Sequence, residues 1–128
     1  MTTTTIDEDD DGTGPKPVGR GPAWLDRWLD EHGDDLVALR RQIHSRPELG
    51  YAEHETTALV GQQLTAAGLA PRVLPGGTGA ICDVGAGPRT VALRADIDAL
   101  PLTDAKDVPY RSTVEGVCHA CGHDAHTA

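Results

Sequence analysis

Thr90-Val91-Ala92-Leu93-Arg94-Ala95-Asp96-Ile97-Asp98-Ala99-Leu100-Pro101 is the stretch on which the fold turns. Its first half is aliphatic and β-branched, and Gly87-Pro88 and Pro101 bound it, which predicts a strand over 90–96. Side chains alternate along a strand. Val91, Leu93, Ala95 and Ile97 therefore share one face, and Arg94, Asp96 and Asp98 share the other. Asp96 and Asp98 project together where the strand runs out. Open α/β sheets carry their ligand sites at the carboxyl ends of strands. Two carboxylates there suit a metal or acid–base site. The plainer reading has Arg94 pairing with one and water solvating the other.

Upstream, the spacing predicts a helix over 22 to about 45. Trp24 and Trp28, and Leu25 and Leu29, are four apart, and Leu36, Leu39 and Ile43 continue in steps of three and four. Gly33 marks a break between its halves. Pro47 disfavours helical geometry at Arg46 and sets the end. A second helix is predicted over about 53–67, with Val60, Leu64 and Ala67 as its apolar stripe and Gly68 as its C-terminal cap. Short strands follow over 72–74 and 80–84, closed by Pro75-Gly76-Gly77 and by Gly85, Gly87 and Pro88. Two helices followed by three strands give an α/β layer unit. There is no internal repeat.

Downstream lies His119-Ala120-Cys121-Gly122-His123-Asp124-Ala125-His126, with Cys118 just before it. Cys and His are the strongest side-chain ligands for zinc-like metals. Residues i and i+2 do not face one another on a helix. Cys121 and His123 converge only on an extended or turning backbone, and Gly122 makes the turn easy. With Cys118 the pattern reads Cys-x-x-Cys-x-His, a metal signal, for which His119, His126 or a remote residue is the fourth ligand. Gly122 rules out a haem-attachment motif. A thioredoxin-like redox pair should open a helix just after the first strand, and this pair closes the chain. His44 ends a helix and reads as a cap or a solvated side chain; His54 and His32 read as surface.

The 128 residues fit one domain. Residues 1–22 read as a disordered acidic tail: Thr2 to Thr5, the run Asp7-Glu8-Asp9-Asp10-Asp11, then scattered Gly and Pro. Residues 23–128 read as the folded part. The net charge of −9 argues against nucleic acid or an anionic membrane as a partner. No run is long enough to span a bilayer, and the N-terminus lacks the basic-then-apolar pattern of a signal peptide. Three cysteines are an odd count and suit a reduced, cytoplasmic compartment, with the thiols free or on metal. There is no Phe, so the core must come from Leu, Val, Ile and Ala.

Four blocks together resemble the M20 metallopeptidase family: Arg41-Gln42-Ile43-His44-Ser45-Arg46-Pro47-Glu48-Leu49, Glu55-Thr56, Leu93 to Leu102, and His119 to His126. The nearest branch acts on N-acyl amino acids, hippurate and auxin conjugates. The resemblance runs from about Trp24 to Ala128 and leaves the acidic tail without a counterpart. It implies a zinc-peptidase-like catalytic α/β domain, present here as its N-terminal portion, and a lid or dimerisation domain absent from this chain. It implies a pair of divalent ions, zinc, manganese or cobalt, and hydrolysis of an amide bond by a metal-activated water. Cys121 and His123 then stand as metal ligands, Cys121 where other branches place a bridging aspartate. Asp98 matches the aspartate that orients a metal-site group. Asp96 stands where the wider family has His. Asp124 stands as a carboxylate behind a metal-bound imidazole, with His119 beside it. Cys118 stands where the branch more often has Met and reads as a free thiol. The general base, a glutamate, is expected beyond Ala128, with the remaining ligands. The complete protein is expected to be a homodimer acting on a small acyl amino acid, and this chain alone to be inactive. Alternative readings are a dipeptidase or aminoacylase of the same family, or a small structural zinc module closed by Cys118, Cys121, His123 and His126.

Overall fold

The structure, a computed structural model, describes residues 22–128. The acidic tail expected over 1–22 lies, but for Pro22, outside the described residues. The elements in chain order are α1 (Ala23–Ser45), α2 (His54–Ala66), β1 (Arg72–Val73), β2 (Ala80–Ile81) and α3 (His123–Thr127). The chain divides after Gly33 into two compact units. Among the described residues the first unit holds the beginning of α1, where Trp28 packs on His32 with ring centroids 4.7 Å apart. Trp24 in the same turn stays exposed. The backbone of α1 is helical through Gly33, so the expected break is not there. One interior glycine weakens a helix by about 1 kcal/mol, which is too little to interrupt one of this length.

The second unit, 34–128, carries everything that follows. α2 ends in a Schellman motif. Gly68 takes a positive φ of 80°, its N–H donates to Thr65 O, and Leu69 N–H reaches back to Leu64 O. At the other end of α2 the cap comes from a distance. The Glu48 carboxylate accepts from Glu55 N, Thr56 N and Thr56 Oγ1 at 2.8–2.9 Å. These orphan donors at a helix start need an acceptor, and a carboxylate also meets the positive end of the dipole. Val60 and Leu64 are half-buried, as their stripe requires, while Ala67 is exposed.

β1 and β2 form one antiparallel two-stranded ladder, Arg72 opposite Ile81 and Val73 opposite Ala80. Each expected strand is shortened to two residues. The third expected strand, 90–96, forms no ladder among the described residues. Val91 is 94% exposed and Leu93 101%. The pattern is that of a strand, but a strand exists only through a neighbour that takes its N–H and C=O groups, and none of the described segments does so. The chain is therefore α/β in composition, with helices and a small sheet.

The segment after it is held tightly. Ala99 N–H donates to Glu48 O at 2.8 Å, making a parallel bridge between Leu49 and Ala99. Leu100 and Cys118 then exchange both backbone hydrogen bonds at 3.0 Å. The buried apolar residues are few: Ile43, Ala99 and Cys118. Most of the buried side chains are polar: His44, Glu53, Thr56, Thr57, Asp104, His119 and Asp124. The centre of this unit is a hydrogen-bonded network, and the low aromatic content expected to yield an aliphatic core yields a polar one.

Candidate functional site

The Leu100–Cys118 bridge sets Asp98 and the His119–His126 stretch side by side. From Cys118 the chain passes through buried His119 to exposed Cys121. Gly122 follows at φ 95°, in the left-handed region that glycine enters without a Cβ penalty, and serves as the N-cap of α3. His123 is the first residue of that helix. Cys121 and His123 thus flank a glycine turn, with the thiol on the loop and the imidazole on the helix.

His123 Nδ1 lies 3.0 Å from both the backbone oxygen and Oδ1 of Asp98. Both are acceptors, so Nδ1 is the donor, and Nε2 is the nitrogen turned away from Asp98. A carboxylate on the far nitrogen of an imidazole is the usual support for a metal-ligating histidine. Thr127 Oγ1 donates to His123 O and to Asp96 O, tying the last turn of α3 to the same segment. His126 stacks on His123 with centroids 5.9 Å apart. Asp96 is ion-paired with Arg94, while Asp98 is the carboxylate that meets His123. Both line a cavity of about 600 Å³ that also touches Tyr51, Leu74 and Arg94.

Asp124 faces away from His123, toward α1. Its Oδ2 accepts from His44 Nδ1 at 2.8 Å and from Arg40 Nε at 3.0 Å. Among the described residues the imidazole that Asp124 meets is therefore that of His44, and the carboxylate at His123 is that of Asp98. Burial pushes the Asp124 carboxyl up, but the His44 hydrogen bond and the Arg40 charge outweigh it and hold it below the ordinary range. The second nitrogen of His44 lies 3.1 Å from Asp104 Oδ2. Asp104 is held well below the usual carboxylate range, chiefly by the backbone N–H of Ser112, against the opposing effect of burial. Lys106 N–H and the Lys106 charge add to it.

His44, read as a cap or a solvated side chain, is 0% exposed and lies at the middle of this network. Tyr110 meets its ring edge-on at 5.7 Å, and Arg41 lies over the Tyr110 ring. The signal available in the sequence was Arg40-x-x-x-His44, two residues on one helical face beside the buried Ile43. Asp104 lies on an irregular loop, where no periodicity could point to it. His119 is 4% exposed, and neither ring nitrogen has a partner. Burial pushes its pKa down, against the pull of the Asp124 charge, so the ring is neutral at pH 7.

The donor chemistry at Cys121 and His123 fits a divalent metal as part of a site. The thiol is exposed, the Nε2 is free, and the imidazole has its carboxylate support. Among the described residues no group of three or more His, Cys, Asp and Glu is arranged to hold an ion. Cys118, Cys121, His123 and His126 therefore do not close a structural zinc site among those residues.

An imidazole and an accessible thiol on either side of a glycine turn are two donors of a candidate metal centre. Residues 92–128 match the family described as Peptidase family M20/M25/M40. The N-acetyl-L-cysteine deacetylase of Bacillus subtilis (strain 168) is 45% identical over 73% of this chain and 23% of its own length. A Rhodococcus jostii (strain RHA1) protein bearing the name of a glutamate–cysteine ligase is 44% identical over 89% of this chain and 17% of its own. Among solved structures, the YXEP protein of Bacillus subtilis, described as a dinuclear metal-binding peptidase from the M20 family, superposes with a TM-score of 0.70. It is 37% identical and covers 77% of this chain and 28% of its own. The chain is thus a relative of the M20 peptidases and amidohydrolases, and it spans about a quarter or less of the length of the curated relatives it matches.

Proposed function

We propose that this chain is the part of an M20 amidohydrolase that supplies Cys121 and His123 to a pair of divalent ions, zinc, manganese or cobalt, and that the whole enzyme cleaves the amide bond of N-acyl amino acids. The observation that carries the reading is the Asp98–His123 hydrogen bond beside an exposed Cys121. When bound, the metals supply an activated water and an electrophile for the substrate carbonyl. Asp98 fixes the ring of His123 and the tautomer that leaves Nε2 free. Gly122 sets the angle between thiol and imidazole. The general-base glutamate and the remaining ligands come from outside residues 22–128. The substrate class follows the deacetylase relative and the sequence blocks; a dipeptidase or aminoacylase of the same family is the second reading. From the resemblance the whole protein is a homodimer, and from its odd cysteine count a cytoplasmic one. The ligase name of the Rhodococcus protein describes a chain of which this segment is 17%, and it adds nothing to the chemistry here.

Cobalt(II) titration of the purified chain tests the ligand pair. A thiolate-to-cobalt charge-transfer band should appear and should vanish in Cys121→Ser. A band that survives that substitution removes Cys121 from the site. A longer protein containing this segment should hydrolyse N-acetyl amino acids or hippurate with added metal, and its Cys121→Ser form should not.

A further inference from the structure

His44 lies between two buried carboxylates. Nδ1 is 2.8 Å from Asp124 Oδ2, and Nε2 is 3.1 Å from Asp104 Oδ2. All three side chains are at least 98% buried. The other neighbours of these carboxylates are donors. Asp124 Oδ2 takes Arg40 Nε, and Asp104 takes Ser112 N, Lys106 N and, at 3.6 Å, Lys106 Nζ. No acceptor sits against either carboxylate among these contacts, so neither needs to hold a proton. A neutral imidazole has one N–H and leaves one of its two nitrogens facing an oxygen lone pair to lone pair. Donation from both nitrogens removes that repulsion and gives each carboxylate a hydrogen bond. The two anions also face cations from outside the ring, Arg40 at Asp124 and, at 3.6 Å, the half-exposed Lys106 ammonium at Asp104.

The two contacts of His44 join parts that are far apart in sequence. His44 is 80 residues from Asp124 and 60 from Asp104. Asp124 is the second residue of α3, next to His123, and Asp104 lies on the loop that leaves Leu100 and returns at Cys118. α3 has five residues and its N-cap makes no side-chain hydrogen bond. A helix so short has little stability of its own. It must be held from outside.

We propose that His44 is a positioning residue that acts as a doubly protonated clamp, donating to Asp124 and Asp104 at once and thereby fixing α3, and with it His123, against α1. The clamp stands on its own geometry; its consequence for metal binding rests on the function proposed above. His44 touches neither the thiol nor His123, so it acts through Asp124.

The test is ring nitrogen NMR on the isotopically labelled chain at pH 7. Both nitrogens of His44 should show a one-bond N–H coupling, and both ring protons should exchange slowly with water. One bare nitrogen overturns the proposal. A second readout asks what the clamp does. In His44→Gln the amides of Ala125 and His126, which bond Gly122 O, should lose at least tenfold in exchange protection, while Gly68 and Leu69 at the end of α2 keep theirs. Equal protection of α3 in a folded variant overturns the positioning role. If His44→Gln does not fold, Asp104→Asn, which keeps an acceptor in place, carries the same comparison. Cobalt titration separates the two readings. If the unaltered chain gives no thiolate band, the proposed metal function fails, and the NMR and exchange results still decide the clamp.

Discussion

Asp98 and His123, twenty-five residues apart, meet at Nδ1 of the ring, which lies 3.0 Å from both the backbone oxygen and Oδ1 of Asp98. That contact fixes which nitrogen of the ring is free. Replacing Asp98 with Asn keeps the size and weakens the acceptor. Metal affinity at His123 should fall by roughly 10–100-fold, the usual effect of losing such a support. Competition of Asp98→Asn and the unaltered chain for cobalt against a chromophoric chelator measures it. Equal affinities would show that the contact has no bearing on the ligand.

Removing His44 altogether leaves two buried carboxylates facing a void. His44→Ala should cost about 3–5 kcal/mol, the range for breaking one side of a buried ion pair. Chemical denaturation of the two proteins gives the difference. A loss below about 1 kcal/mol would mean that water reaches the network freely.

The three thiols differ in exposure: Cys121 exposed, Cys82 intermediate, Cys118 buried. Iodoacetamide should therefore label Cys121 first, Cys82 next and Cys118 only on unfolding. Peptide mapping at increasing times reads the order. Early labelling of Cys118 contradicts the Leu100–Cys118 bridge.

Acid should destabilise the fold in a defined window. Asp104 is held below the ordinary carboxylate value by Ser112 N–H. Glu48 is pushed up by burial, but the N–H groups of Thr56 and Glu55 outweigh this and leave it lowered. A depressed carboxylate binds fewer protons folded than unfolded, so stability rises with pH across this range. The contribution is complete above the unfolded values of about 4 and is lost as pH falls below them. Urea midpoints should drop steadily as the pH is lowered from about 5 to 3. A midpoint that rises across that interval refutes the assignment.

Gly122 should not tolerate a side chain. No atom lies within 4 Å of where a Cβ would sit, so the penalty is one of backbone conformation alone. At φ 95° it should be about 1–2 kcal/mol in Gly122→Ala. Thermal unfolding compares the two, and an unchanged midpoint would mean that the turn relaxes.

Much of this was legible in the sequence. The ends of α1 and α2 follow from Pro47 and Gly68, because proline and glycine act through local geometry that needs no partner. Cys121 and His123 stand out by residue type and spacing, and Asp98 only through the resemblance of the block that holds it. What failed depended on neighbours. The strand pattern over 90–96 is sound, but pairing is a property of two segments. Asp124 was expected behind a metal-bound imidazole because such rings usually donate to a carboxylate; one helical step of about 100° from His123 turns it toward Arg40 and His44. His44 looked idle because a lone histidine at a helix end carries no mark of the carboxylates that fold against it from 60 and 80 residues away.

A polar interior also constrains descent. An aliphatic core accepts substitutions one at a time, since neighbouring methyl groups shift to fill small gaps. Hydrogen-bonded charges do not. Arg40, His44, Asp104 and Asp124 constrain one another, so each single replacement strands the others, and a lineage that alters one must pass through a disabled intermediate or change several together. These four positions should therefore drift as a block, with the exposed residues around them free to wander.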